Sequence, residues 1–574
     1  MDWQRISILG AIGLVSILLI NQWGEFQERN RPVISQETTI TTTPGQAVAD
    51  TALDTVLEAD AAADSSMASD IPTATASSEN PASLPSPGLP AKNRLVSVET
   101  DTLSVLIDTL GGDLVKVALL QHKESLEDKN KPLILLNRTE STIYIAQSGL
   151  IGQNATDTAA GRPLFRSGQP QYSLAQGQDS LSVDLYYQQG DVKITKRFTF
   201  QRNSNLVNVE YLIDNQSPET WQAAMYGQIK RDSHNPVSAD GLGMQPYLGA
   251  ALTTTETNYK KLDFDDLADP DLVRAGGFKT SIQGGWVAMV QHYFLSAWIP
   301  DSEQTNNYSL RKGRGDIYLL GFTSPQTAVP AGGHGVIKAS FYAGPKDIDL
   351  LESISPYLDL TVDYGWLWWI AKPLFHVLDF IHGILGSWGW SIIALTVLIK
   401  LAFFHLSATS YKSMAKMRKF GPEMQRMKEL YGDDRQKMSQ EMMKLYKKEK
   451  INPLSGCLPI LVQMPVFISL YWVLMESVQL RHTPFLGWIA DLSVKDPYFI
   501  LPVVMGVTMW IQQKLNPTPP DPTQAKVMQL LPLVFTFMFM WFPAGLVLYW
   551  VVNNTLSIAQ QYVITRQIEA GDKT

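Results

Sequence analysis

Trp388-Gly389-Trp390-Ser391-Ile392-Ile393-Ala394-Leu395-Thr396-Val397-Leu398-Ile399-Lys400-Leu401-Ala402-Phe403-Phe404-His405-Leu406 is a helix-length apolar run with a lysine inside it and Thr396 one helical turn before that lysine. A lone cation in a membrane span costs roughly 2.5–3.5 kcal/mol on insertion scales, so it is seldom kept without a use. Immediately downstream lies a basic, methionine-rich stretch, Tyr411 to Lys450. Together the two segments indicate a membrane protein that handles charged or polar material within the bilayer.

Working outward, the chain of 574 residues has room for two or three domains. Its mean hydropathy of -0.05 averages two unlike halves. Candidate spans are Ile6–Ile20, Trp390–Leu406, Leu458–Val478, Tyr498–Ile511, Val527–Phe542 and Gly545–Ile564, five of them in the last third. Between Tyr411 and Lys450, twelve Lys and Arg stand against six acids, whereas Gln479–Pro497 holds only Arg481 and Lys495. By the positive-inside rule the first loop is cytoplasmic and the second is not. Parity then puts both termini in the cytoplasm and residues 24 to about 387 outside. The first span reads as an uncleaved anchor, because Asn21-Gln22-Trp23-Gly24 offers no small-x-small cleavage site. Cys457, the one cysteine, rules out an internal disulfide and any multi-cysteine metal site, and reads as a packed residue.

Residues 25–91 are expected to be a disordered acidic tether, since Pro32 to Ala91 contains no Lys or Arg and is dominated by Thr, Ala, Ser, Pro and Asp. From Lys92 the pattern turns to period two, as in Leu95–Thr100, Ser182–Tyr187 and Val192–Phe200, punctuated by Gly111-Gly112-Asp113 and Gln189-Gly190-Asp191. That predicts a large antiparallel β domain, a sandwich, over 92–348. Asp347–Ser355 is expected to be helical. Over Tyr364–Leu385, an apolar stripe of Trp366, Ile370, Leu374, Val377, Leu378, Ile381 and Leu385 opposes Lys372, His376, Asp379 and His382. Within 349–388 this predicts an interfacial helix lying on the outer leaflet. His376 and His382 read as part of its solvated face rather than as a metal pair.

Residues 389–574 are expected to form a core of five transmembrane helices, with a cytoplasmic hairpin at 410–450. In that hairpin Met417, Phe420, Met424, Met427 and Tyr431, then Met438, Met442 and Leu445, recur at three-four spacing, predicting two short antiparallel helices. Pliable methionines suit a surface that accepts varied apolar segments, although holding the hairpin together is the simpler role. No phosphate-binding loop, His-Glu-x-x-His motif or nucleophile elbow appears, so no cofactor, metal or enzymatic turnover is expected. What remains is polar side chains in apolar helices: Thr396 and Lys400 on one face, Gln463, and the i, i+4 stripe Tyr549, Asn553, Ser557 with Gln560 one turn on. Such groups rarely face lipid, and are expected to converge on a wet cavity between helices. The alternatives are interhelical hydrogen bonds and snorkelling of Lys400 to the cytoplasm. Two of the spans are short for a core of about 30 Å, which thins the bilayer around them.

Asn452-Pro453-Leu454-Ser455-Gly456-Cys457-Leu458-Pro459, with Gln463-Met464-Pro465-Val466-Phe467, closely resembles the hallmark of the YidC family of membrane protein insertases. So do Tyr411–Met417, Gly506–Met509 and Trp541–Tyr549, while the anchor and the β domain ending in Phe341–Asp347 look like the Gram-negative form. The resemblance implies an insertase of the bacterial inner membrane, working alone or beside the Sec translocon. It further implies a periplasmic β-supersandwich and a groove open to cytoplasm and lipid, with nascent membrane proteins as substrates. Ribosomes or targeting factors are expected partners of the hairpin. The family's groove cation is usually arginine; here Lys400 holds that position, with charge but no bidentate fork. His405, Ser455 and Trp550 also depart from the family pattern. Two other readings are a channel or transporter and a membrane-anchored carbohydrate-active protein built on the β domain.

Overall fold

The computed structural model describes residues 71–72, 92–128, 130–158, 161–236, 246–431, 434–448, 458–516 and 522–571. The expected first span, the tether apart from Ile71 and Pro72, and the Asn452–Cys457 motif lie outside them. The period-two stretches are strands: Leu95–Glu99, Ser180–Gln189 and Val192–Gln201. In Leu206–Asn215, half-buried and buried residues alternate without a break, as one face packs and the other is shared with solvent. The two-residue link Gly190-Asp191 turns the chain back because Gly190 takes φ 57°, which costs a glycine little.

Two sheets result. The eleven-stranded sheet runs in the order Phe278–Gln283, Thr305–Lys312, Tyr318–Thr323, Trp221–Arg231, Ile143–Ile151, Pro132–Arg138, Asp113–Lys123, Leu103–Asp108, Leu95–Glu99, Gln171–Ser173, with Thr327–Val329 also pairing on Trp221–Arg231. The nine-stranded sheet runs Lys260–Leu262, Gly249–Leu252, Val287–Val290, Phe294–Pro300, His334–Pro345, Leu206–Asn215, Val192–Gln201, Ser180–Gln189, Arg166–Ser167. Val105, Leu136 and Met225 of the first meet Val183, Phe198, Val209 and Phe341 of the second in one core, so the fold is a β-sandwich. One inward position is a lysine. Lys196 is fully buried and donates to the carbonyls of Gly111, Gly112 and Ser148 at 2.8, 2.9 and 3.0 Å; burial pushes its ammonium down to about 7.

Helices follow: α1 (Ile348–Ile354), α2 (Trp368–Leu385), α3 (Trp388–Ala402), α4 (Phe404–Lys419), α5 (Gly421–Tyr431), α6 (Arg435–Lys448), α7 (Leu458–Glu476), α8 (Ile500–Leu515), α9 (Pro522–Met538) and α10 (Ala544–Gly571). On α2 the expected apolar stripe divides between the core and the outside. The helix's buried face is Leu367, Ala371, Phe375, Leu378 and Ile381, while Trp366, Val377 and Leu385 of the expected stripe are exposed. Exposed Trp368, Trp369, Phe380 and Ile384 give the helix a second apolar face. His382 stacks on Trp388 with ring centroids 4.0 Å apart.

The apolar run Trp388–Leu406 is not one straight helix. It breaks at Phe403, with φ −94° and ψ 11°, and α3 and α4 diverge by 67°. No proline or glycine sits there. Among the described residues no single helix is long and apolar enough to cross a membrane; the bent α3–α4 pair passes that test together.

Sandwich and helices share a continuous core: Ala288, Val290, Leu295 and Tyr342 of the nine-stranded sheet, with Trp286 just before it, cluster with Leu358, Phe375, Ile392, Leu474 and Tyr549. Polar contacts lock this joint. Lys346, just past strand His334–Pro345, pairs with Glu476 at the end of α7 at 2.5 Å, both side chains about 2% exposed. The ring Nε2 of His292 lies 2.9 Å from the Met475 carbonyl, and Arg481 donates to the Glu124 carbonyl at 3.0 Å.

Candidate substrate groove between the helices

Helices α4, α7, α8, α9 and α10 enclose a cleft of about 1310 Å³, counting the part open to solvent. α10 supplies Tyr549, Asn553 and Ser557, whose i, i+4 spacing aligns them, as the sequence predicts. α7 supplies Gln463, and α4 supplies Tyr411 and Met414. Apolar closure comes from Phe467, Met509, Leu531 and Phe535.

The polar atoms here are unusual in being partnerless. Gln463 Nε2, Asn553 Oδ1 and Trp550 Nε1 are buried without a hydrogen-bond partner among the described residues. Orphaned buried donors and acceptors each cost about 1–3 kcal/mol. Three of them facing one cleft of this size make it a site for water or for a polar chain.

Lys400 does not line the cleft; it stands one hydrogen bond behind it. Its side chain is nearly buried, and its ammonium donates to Ser557 Oγ at 2.7 Å. Ser557 Oγ in turn donates to the Asn553 carbonyl at 2.7 Å. No carboxylate pairs with Lys400 among the described residues, so its charge is not cancelled locally.

The two other expected groove residues lie elsewhere. Thr396 is buried, and its hydroxyl donates to Ile392 O at 2.6 Å within its own helix. Gln560 donates to the Phe404 carbonyl at 3.2 Å, bridging α10 to the chain just past the α3–α4 break. Conversely, Gln512 and Gln513 of α8, Asn516 just past its end and Asn554 of α10 line the cleft, and the sequence reading names none of them. Asn554 donates to Thr508 Oγ1 at 3.3 Å, and Gln561 to Asn516 Oδ1 at 3.0 Å, tying α10 to α8. Spacing did hold a signal for them: Asn554 and Gln561 are seven residues apart on one helix face.

In the hairpin, α5 packs against α6 around buried Leu445, with Met424, Met427, Met438 and Met442 half-buried. The Tyr446 hydroxyl donates to Met424 Sδ at 3.5 Å. Met417 belongs to another contact: it lies on α4 and packs with Tyr411, Met414, Ile564 and Ile568. Leu430 and Met443 are more exposed than the predicted seam.

A profile described as the YidC periplasmic domain matches residues 95–377, and one described as 60Kd inner membrane protein matches residues 380–571. Membrane protein insertase YidC of Cellvibrio japonicus is 58% identical over 573 residues, covering 100% of both chains. Its namesake from Pseudomonas aeruginosa is 51% identical over 598 residues, again covering 100% of both. A crystal structure of an active YidC insertase with its first transmembrane domain resolved is 18% identical, with TM-score 0.36, covering 82% of this chain and 92% of that one. At that score the structural likeness carries no argument, but full-length identity above half does: the chain belongs to the YidC family of membrane protein insertases of the inner membrane.

Proposed function

We propose that this protein inserts and helps fold inner-membrane proteins by drawing a client's polar tail into the cleft, without enzymatic turnover. Residues 1–24 anchor the chain, 25–91 tether it, 92–348 form the periplasmic sandwich, 349–388 link it along the membrane surface, and 389–574 are the insertase core of five spans. Both termini are cytoplasmic and residues 24 to about 387 periplasmic. Lys400 attracts acidic groups of the tail, and Gln463, Tyr549, Asn553 and Ser557 solvate it. Thr396 and Gln560 act by shaping α3 and the bend. The client's apolar segment then partitions past α7 and α10 into lipid, at about 0.8 kcal/mol per buried CH₂. The 410–450 hairpin, with Met424, Met427, Met438 and Met442, receives clients from ribosomes or targeting factors, and Met417 carries it on α4. The Sec translocon is a partner for longer clients.

The observation that carries this reading is an ammonium without a carboxylate partner among the described residues, one hydrogen bond from a cleft in which Gln463 Nε2 and Asn553 Oδ1 have no partner. Depletion and complementation with a Lys400 series tests it. Lys400→Arg should support growth and insertion of clients with acidic tails, and Lys400→Glu should fail on them. Wild-type insertion by Lys400→Ala for every such client would refute the charge trap.

A further inference from the structure

The outer face of the eleven-stranded sheet, turned away from the sandwich core, carries an apolar patch that strands alone leave uncovered. Ala224 and Tyr226 project from strand Trp221–Arg231, and Ile151 sits directly opposite Ala224 in register. All three are nearly inaccessible, at 3%, 1% and 3% exposure. Ile71 packs on that patch. It comes from far upstream: Ile71 and Pro72 are the two described residues before Lys92.

Ile71 also stands between two cavities. One is small, lined by the charged residues Asp113, Arg138, Arg162 and Lys230 as well as by Leu110, Ile143 and Ile145. The other is a long cleft of about 1850 Å³, counting its open part, lined by Ile71, Pro72, Lys279, Asn307, Ser309 and Arg311 among others. A cleft of that size exceeds what two residues fill. Its rim is basic, while residues 32–91 contain eight Asp and Glu and no Lys or Arg, with Asp70 directly before Ile71. Proline fixes its own φ and biases the preceding residue toward extended backbone, so Ile71-Pro72 meets the sheet with little conformational freedom left to lose.

We infer that this cleft is a peptide-binding site whose occupant is the chain's own acidic segment, anchored by Ile71-Pro72 on Ile151, Ala224 and Tyr226. The negative charge of the segment that ends at Asp70 complements Lys279 and Arg311 of the cleft. Docking fixes Pro72 as well as Lys92 to the sandwich. If residues 1–24 are a membrane anchor, as proposed above, only residues 25–70 then set how far the sandwich can stand from it. At full extension that shortens the reach from roughly 230 Å to roughly 155 Å.

The test uses the full chain in proteoliposomes, in a Cys457→Ser background. Ile71→Cys with Ala224→Cys should form a disulfide at least tenfold faster than Ser66→Cys or Ser77→Cys with the same partner; equal rates across the three would overturn the proposal. A protease specific for acidic residues gives a second readout without cysteines. Cleavage after Asp70 should be at least tenfold slower than after Asp54 in the wild type, slow still in Ile71→Val, and fast in Ile71→Asp. Rapid cleavage after Asp70 in the wild type, or protection that survives Ile71→Asp, would equally overturn it. Neither readout depends on insertion, so failure here and failure of the Lys400 mechanism are separable.

Discussion

The two buried lysines show how the same side chain serves opposite ends. Lys196 spends all three of its hydrogens on backbone carbonyls, which makes it a structural cation holding the Gly111-Gly112 turn. Lys196→Met should orphan those carbonyls and destabilise the sandwich by about 3–5 kcal/mol, read as a lowered urea midpoint of the full chain. Lys400 spends one hydrogen on Ser557. With no carboxylate paired to Lys400 among the described residues, its replacement by an apolar group of like volume leaves no buried charge uncompensated. Lys400→Met should therefore melt no lower than wild type in detergent while losing insertion of acidic-tail clients. Ser557→Ala should do the reverse in part, lowering thermal stability by about 1–3 kcal/mol because the ammonium loses its partner. If Lys400→Met lost stability and activity together, a structural role would explain it. Sequence legibility divides along the same line. Tyr549, Asn553 and Ser557 were readable because apolar neighbours made their stripe conspicuous. Thr396 misled because a threonine hydroxyl in a helix can turn back to the i−4 carbonyl, a choice that spacing does not reveal. Lys196 escaped notice although it falls on the inward phase of Val192–Phe200, since alternation was read from the apolar members alone.

At the scale of elements, period and composition located helices well and their breaks poorly. α7, α8, α9 and α10 each overlap the apolar run that predicts them, although α9 begins five residues before its run and α10 ends seven residues after its own. The break at Phe403 has no proline or glycine to announce it, and its support comes from Gln560, more than a hundred residues away in sequence. Gln560→Leu should leave the Phe404 carbonyl without that donor, costing about 1 kcal/mol and raising hydrogen exchange at the start of α4; unchanged exchange there would mean that the bend is held by packing alone. On α2 the stripe read from the sequence left out Ala371 and Phe375, which bury in the core, while Trp366, Trp368 and Trp369 stay exposed. In the hairpin, Leu445 is the buried residue of α6. Leu445→Ala should increase exchange throughout α5 and α6 and leave the sandwich strands unaffected, since no strand packs on it. A change confined to α6 would show that the two helices fold independently.

Across the whole molecule the joint between sandwich and helices is what single-sequence reading could not reach, because its members come from four distant stretches of chain. Two of them titrate. Burial, then the charges of Lys346 and Arg481, holds His292 down to about 3; burial, then Arg481 and His482, holds His122 down to about 4. Around them stand the Lys346–Glu476 pair, the Met475 carbonyl, the half-buried Arg481 and the ring of Phe294, so a proton added to either histidine meets mainly positive charge. The sign follows from linkage. Freed from the joint, each histidine titrates near 6.5, so between 6.5 and about 4 the undocked state binds more protons than the docked one. Docking free energy is therefore intact above pH 6.5 and falls as pH drops below it, by up to about 1.4 kcal/mol per pH unit for each histidine, with His122 contributing less because it is partly solvated. Hydrogen exchange of the strands flanking His292 and of the α7 C-terminus, followed from pH 7.5 to pH 5 at matched intrinsic rates, should show protection lost in that window. His292→Gln keeps a donor for the Met475 carbonyl but cannot be protonated, so its profile should be flatter by one proton's slope while its protection at pH 7.5 stays near wild type. An unchanged slope in that variant would assign acid sensitivity to the carboxylates instead, and the joint would then be insensitive to pH through His292.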